Sequence, residues 1–367
     1  MKSTIGKNIT ISLYGESHGE SIGVVIDGLE AGIKLDLDAV QAQLDKRRAK
    51  GKISTQRHEE DLFHITSGYF NGCTTGTPLH IQIMNKEQQS RDYTPQLLRP
   101  SHADYTAYVK YHGCQDYRGG GHFSGRITAP LVAAGAIAEQ ILEKKGILIG
   151  THIKQCMDVH DREFVDLTAD LKALSAMDFA VLDSDAQSAM INLIEAAAAQ
   201  KDSVGGILET IILNVPAGIG EPYFHSIESS LSAYLFSVPA VKGVEFGMGF
   251  DFVNHYGSEA NDAWLMSGDK IVSKTNNNGG INGGIANGMP ILFRTVIKPT
   301  PSIFKPQQTV DYNEKKDAIL ELKGRHDPAI FHRARVVVDA VTALCLLDLC
   351  VEAYGGEWMR DSLCELD

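Results

Sequence analysis

Five short segments of this 367-residue chain concentrate side chains able to move protons or hold anions. In Gly15-Glu16-Ser17-His18-Gly19, an apolar run comes before and another after, so His18 stands at a strand end. The flanking glycines let a ligand approach the backbone, and an imidazole there exchanges protons near neutral pH. A hydrolase nucleophile elbow would need a helix next, and Ile22-Gly23-Val24-Val25-Ile26 is a strand pattern instead. A structural turn and a functional site both stay open. Arg99-Pro100-Ser101-His102-Ala103-Asp104 pairs His102 with a carboxylate two residues on, either an oriented acid–base pair or an exposed polar turn. Arg118-Gly119-Gly120-Gly121-His122-Phe123-Ser124-Gly125-Arg126 offers backbone N–H groups, two arginines and a following helix N-terminus. That favours anion binding over a merely flexible loop, although neither a Walker nor a Rossmann pattern fits. The remaining two are the asparagine–glycine stretch 275–288, leading to Lys298-Pro299-Thr300-Pro301-Ser302, and Gly324-Arg325-His326-Asp327-Pro328. Lys46-Arg47-Arg48, with Lys50 and Lys52, closes a helix, where basic charge ordinarily complements the helix dipole. Histidine and carboxylates are plentiful, but no H-E-x-x-H spacing supports a metallohydrolase.

The elements that must position these groups are legible from apolar periodicity. Helices are predicted over 36–49, with Asp36 or Asp38 as N-cap and Gly51 as stop, and over 129–144, 187–200 and 333–353. The segments 129–144 and 333–353 are apolar nearly all round, so they belong between layers. Strands are predicted at 8–14, 22–27, 79–84, 207–215, 244–250 and 290–297. The mixture is α+β rather than a βαβ alternation. The stretch 260–285 reads as a long loop without regular structure. An internal duplication also shows. Ser21-Ile22-Gly23 leading to Ala31-Gly32-Ile33 is echoed by Ser203-Val204-Gly205 leading to Ala217-Gly218-Ile219. Gly76-Thr77-Pro78-Leu79 is echoed by Gly288-Met289-Pro290-Ile291, and His102 with Asp104 by His326 with Asp327.

Composition narrows the function classes. A net charge of −12 argues against broad nucleic-acid binding, yet a local basic cluster can still focus positive potential on a small anion. No run of about 18 apolar residues marks a membrane span. The polar N-terminus is unlike a signal peptide. Six scattered cysteines without zinc spacing read as free thiols in a reducing cytoplasm. With no linker-like tract, residues 1–367 read as a single domain.

Taken in order, the motifs resemble those of the chorismate synthase family. They are GESHG, TTGTP at 74–78, RPSHAD, DYRGGG at 116–121, SVPAVKGVEFG at 237–247, TNNNGGINGGIANG at 275–288 and GRHDP at 324–328. The resemblance implies a helical layer sandwiched between antiparallel β-sheets, with an internal pseudo-two-fold repeat, usually assembled as a homotetramer. It implies a lyase using reduced FMN to eliminate phosphate from 5-enolpyruvylshikimate 3-phosphate, giving chorismate in the pathway to aromatic amino acids. NADPH would enter only as a reductant for the flavin. By the same resemblance His18 assists phosphate departure, His102 protonates the reduced flavin, and Asp327 acts in removing the C6 hydrogen. The flavin would lie against His122, Phe123, Ser124, Pro239, Ala240, Gly283, Lys298, Pro299, Thr300, Pro301, Ser302 and Arg325, and the substrate against Arg47, Arg48 and Arg126. The chain departs from the commoner pattern at His122-Phe123-Ser124-Gly125-Arg126-Ile127-Thr128, where Arg-Ser-Ser-Ala-Arg-Glu-Thr is usual. It departs also at Ala49-Lys50-Gly51, at Lys52, and at Tyr14 in place of tryptophan. Two rivals differ in class: a flavin reductase, which would want a dinucleotide fingerprint, and a non-catalytic flavin- or anion-binding protein, which would not need two histidines and an aspartate in separate loops.

Overall fold

The computed structural model describes residues 3–49, 51, 53–54, 59–86, 96–322 and 327–360. Its first sheet contains β1 (Thr4–Ile5), β2 (Thr10–Gly15), β3 (Ser21–Asp27), β4 (Phe63–Ser67) and β5 (Leu79–Met84), in the order β1-β2-β3-β5-β4. The second contains β6 (Leu148–Cys156), β7 (Val159–His160), β8 (Gly206–Leu213), β9 (Val241–Phe246) and β10 (Ile291–Ile297), in the order β7-β6-β8-β10-β9. Every pairing in both sheets is antiparallel. Alternation decides which face is inward. Ile22 lies opposite Ile83, Val24 opposite Ile81 and Ile26 opposite Leu79, and all six are buried.

Eight helices complete the described fold: α1 (Leu37–Arg47), α2 (Asp104–Lys110), α3 (Thr128–Lys144), α4 (Leu167–Ala176), α5 (Ser184–Ala199), α6 (Ile227–Ser237), the single turn α7 (Gly257–Ala260) and α8 (Phe331–Tyr354). The two apolar helices form the middle layer. α3 packs on β3 and β5, α8 packs on β6 and β8, and the two pack on each other, flanked by α1 and α6. Gly135 marks their closest approach: a Cβ there would overlap Ala340 of α8. Each inward Ile, Leu or Val contributes roughly 1.5–3 kcal/mol, and α8 is apolar all round because neighbours cover it on every side.

The repeat is real at the level of topology. Sheet positions β2, β3, β5 and β4 correspond to β6, β8, β10 and β9. α1 and α6 then occupy the same place in the chain order, as do α3 and α8. The first strand predicted at the SVPAVKGVEFG motif needs shifting: the strand runs 241–246, not 244–250, because only those residues pair with β10. The 260–285 stretch is also not structureless. It folds into hairpins at Trp264–Ser267 with Lys270–Ser273 and at Ile281–Asn282 with Ile285–Ala286. The carboxylate of Asp262 staples it, accepting the Asn277 and Asn278 backbone N–H groups (both 2.8 Å) and the Thr275 hydroxyl (2.6 Å). Cys73 is disulfide-bonded, against the expectation of free thiols throughout; Cys114, Cys156, Cys345 and Cys350 are free.

Candidate active site

A cavity of about 940 Å³ opens between the two halves, at the upper end of the usual range of ~300–1,000 Å³ for small-molecule sites. From the first half it takes the turn after β2, the end of α1, the loop before α2 and the triple-glycine segment. From the second it takes the end of α6, the start of β9, the loop after β10 and the first turns of α8.

The triple glycine works differently from an anion loop. Gly119 and Gly120 have φ of 60° and 85°, and each lies against an imidazole. A Cβ on Gly119 would come within 2.6 Å of His18 Cδ2, and one on Gly120 within 3.1 Å of His102 Cε1. Absence of side chains here brings two histidines from distant segments to one turn. The turn's own N–H groups are partly spent: Gly120 donates to Tyr117 O (3.3 Å) and Ser124 to Gly121 O (3.4 Å). The Ser17 N–H fastens the His18 turn to Gly121 O (3.1 Å). Arg118 turns outward to Asp116 (2.8 Å) and does not line the cavity.

His102 is oriented from behind. Its Nδ1 donates to Asp104 Oδ1 (2.9 Å), and Arg99 grips the same carboxylate through Nε (2.8 Å) and Nη2 (2.7 Å). Burial would raise the Asp104 carboxyl, but hydrogen bonds from Arg99 and His102 hold it well below the usual carboxylate range. An ionised Asp104 fixes the proton on Nδ1 and leaves Nε2 for a ligand. Lys298 Nζ donates to Ser101 O (2.7 Å) and ties this loop to the second half.

The arginines are committed to the protein. Arg47 reaches Asp61 (3.2 Å), Thr128 Oγ1 (2.9 Å) and Gly125 O (2.7 Å); Arg126 reaches Asp61 and Asn85 Oδ1 (2.9 Å). Buried Asp61 thus serves two buried guanidiniums, and buried Glu59 stands 4.0 Å from Arg126 Nη2, so the buried charges balance. Arg126 Nη2 is buried without a hydrogen-bond partner among the described residues, beyond hydrogen-bonding reach of its ion-pair partner Glu59. Asp327 accepts from Arg333 Nη1 (2.6 Å), and Arg333 also donates to Arg47 O (2.9 Å).

The family model for chorismate synthase matches residues 9–351. A chorismate synthase of Pyrococcus abyssi is 46% identical over 345 residues, covering 94% of this chain and 96% of the relative. One of Dehalococcoides mccartyi is 44% identical, covering 96% and 98%. The chain belongs to the chorismate synthase family. A crystal structure of a chorismate synthase superposes with a TM-score of 0.74 at 26% identity, covering 96% of this chain and 94% of the other. The family makes the chain a lyase of that type, acting on a small molecule in amino-acid biosynthesis. Among the described residues no helix is long and apolar enough to cross a membrane.

Of the residues that the sequence of this family member singled out, the cavity gathers His18, His102, Asp327, His122, Phe123, Ser124, Pro239, Ala240, Lys298, Thr300, Pro301, Ser302, Arg47, Arg48 and Arg126. Pro299 is not among the lining residues; its ring packs by Gly205. Gly283 is not there either: it forms the turn of the 281–286 hairpin, whose neighbouring Gly284 lies on Ser226 at the start of α6. Arg325, with Lys50, Lys52 and His326, lies outside the described residues. Sequence reading missed Arg333, Asp61, Lys242 and Tyr234. Arg333 was hidden inside an apolar helix. Asp61 stands in a polar stretch without a motif, at φ 53°. Tyr234 brings a buried hydroxyl with no hydrogen-bond partner among the described residues, and no pattern marks it.

Proposed function

We propose that this enzyme catalyses the 1,4-trans elimination of phosphate from 5-enolpyruvylshikimate 3-phosphate to chorismate, with reduced FMN as cofactor. The observation that carries the reading is charge. In a chain of net charge −12, the cavity is lined by seven Lys or Arg residues, three histidines and only three carboxylates among the described residues. That balance suits a substrate bearing a phosphate and two carboxylates.

The residues also fit a flavin. Ile11, Leu13, Val337, Val341 and Phe123 supply apolar wall for a ring system, and Thr300 Oγ1 is buried without a hydrogen-bond partner in the segment assigned to the cofactor. Pro239, Ala240 and Lys298 to Ser302 would hold it, with His122, Phe123 and Ser124 opposite. When bound, reduced FMN supplies transient electron donation with no net redox change.

The chain's own residues then divide the proton work. His18, buried beside the glycine turn, donates to the departing phosphate oxygen and neutralises its growing charge. Arg126 and Arg48 grip the substrate's anionic groups; Arg47 holds Arg126's carboxylate partner in place. His102, locked through Nδ1, exchanges its proton at Nε2 on the flavin side. Asp327, oriented by Arg333, accepts the C6 proton. The reading includes a single domain working as a cytoplasmic homotetramer. Exposed Tyr223, Phe224, Phe250 and Tyr256 support the assembly. An anaerobic assay with chemically reduced FMN should release phosphate and chorismate together. Equal turnover with oxidised FMN and no reductant would refute the proposal.

A further inference from the structure

We propose that Asn85 is a positioning residue that holds His18 and Arg126 in fixed relation to one another. The inference rests on the roles given above to those two residues, proton donor and grip on the substrate's anionic groups. Sheet register sets where Asn85 stands. Ser21 of β3 lies opposite Met84 of β5, so the residue after β5 falls beside the turn that carries His18. Its backbone N–H prolongs the ladder to Glu20 O (3.0 Å). The turn itself is tight: the Gly19 N–H returns to Glu16 O (3.0 Å), leaving Ser17 and His18 as its central pair.

The Asn85 carboxamide is engaged at both ends. Its Nδ2 donates to Glu16 O (3.1 Å) and to Gly19 O (2.9 Å), the first and last residues of that turn. Its Oδ1 accepts from Arg126 Nε (2.9 Å). Carbonyls on one side and a guanidinium on the other fix which end of the amide is nitrogen. The far edge of the Arg126 guanidinium pairs with Asp61, so Asn85 completes the hold on its plane. All these contacts need a group with paired donors and an acceptor. An aspartate would keep the arginine but present oxygen to the turn carbonyls. Asn85 is half-buried and not among the residues lining the cavity, whereas His18 and Arg126 both are. Its contribution therefore passes through them. An imidazole must reach the departing oxygen while the anion is gripped, and a misplacement of about 1 Å can cost on the order of 100-fold.

Steady-state kinetics of Asn85→Ala, Asn85→Asp, His18→Ala and the Asn85→Ala/His18→Ala double variant, at saturating reduced FMN, test the assignment. Asn85→Ala should lower kcat about 10- to 100-fold. Asn85→Asp keeps the Arg126 acceptor and loses the turn, so kcat should fall similarly with a smaller rise in KM. In the His18→Ala background, Asn85→Ala should cost less than about 3-fold, because the donor it positions is already gone. Near-normal kcat in either Asn85 variant, or equal KM rises in both, overturns the proposal. So does the same fold loss with and without His18, which is what a general loosening of the fold would give. If His18→Ala alone keeps near-normal kcat, the proton-donor reading of His18 fails instead. The His18 imidazole resonance in isotope-labelled protein then decides the clamp: a shift in Asn85→Ala upholds it, and an unmoved resonance overturns it.

Discussion

His102 and His152 are both held by an aspartate, one in each half of the molecule, and they differ in what the second nitrogen meets. His102 gives Nδ1 to Asp104 and lines the cavity. His152 gives Nδ1 to Asp161 (2.6 Å) and Nε2 to Glu209 (3.1 Å), on the far face of the second sheet with no exposed side chain. Two carboxylate acceptors need two N–H donors, so His152 is a fixed imidazolium. Burial would push it down, but the hydrogen bonds to Asp161 and Glu209 carry its pKa above the ordinary histidine value. Glu209 passes the network to Arg294 (2.6 Å), while Asp161 also accepts the Leu182 and Asp183 N–H groups (both 2.8 Å), docking the α4–α5 excursion. One carboxylate orients a histidine for exchange; two turn it into masonry.

The comparison breaks most visibly in turnover. His18→Ala and His102→Ala should each lower kcat by roughly 10- to 10,000-fold while leaving the fold intact. Near-normal kcat in either variant removes that residue from the proton work. Asp327→Asn keeps the shape and removes the base, so turnover should collapse while FMN and substrate still bind. Weak binding of both would instead make Asp327 a structural partner of Arg333.

His152→Ala should do the reverse. It takes the shared cation from two buried carboxylates, which keep Arg294 and two backbone N–H groups, and should cost about 3 kcal/mol or more in denaturant unfolding, with kcat of the folded protein near wild type. The sign in pH follows from the raised pKa. The imidazolium's contribution is fully present below the unfolded histidine value and is lost as pH rises through the higher folded value. The stability gap between wild type and variant should therefore narrow on the alkaline side, and a gap that widens there contradicts the imidazolium.

The smallest effect concerns His122, where the family resemblance leads one to expect arginine. If it supplied charge to a bound phosphate, affinity would weaken as pH rises through neutrality. Its Nδ1 donates to Gly15 O (2.8 Å) and its Nε2 meets Ser3 Oγ (3.0 Å), so both nitrogens are engaged within the chain. FMN affinity measured from pH 6 to 9 should give parallel profiles for wild type and His122→Arg. A flattened profile in the arginine variant would restore the charge role.

Much of this was legible in the sequence, for physical reasons. Ile22, Val24 and Ile26 alternate because one face of β3 is buried, and α3 and α8 read as interior because both sit between layers. Strand β6 was invisible: His152, Thr151 and Lys154 look like a polar surface segment, and only their cross-strand partners make them interior. The site motifs gave loops that line the cavity, but not how those loops contact one another. Gly119 and Gly120 look like an anion loop until His18 and His102 are seen pressed against them. Arg333 pairs with Asp327, and no spacing rule reveals a partner set by the entry angle of α8.

The central claim is that the cavity between the halves performs an elimination in which reduced flavin is needed but not consumed. Its most direct test is anaerobic stoichiometry under many turnovers with a limiting amount of reduced FMN. Phosphate and chorismate should form in equal amounts, far exceeding the flavin, which ends fully reduced. One flavin oxidised per product formed, or no product beyond the flavin supplied, would contradict the account.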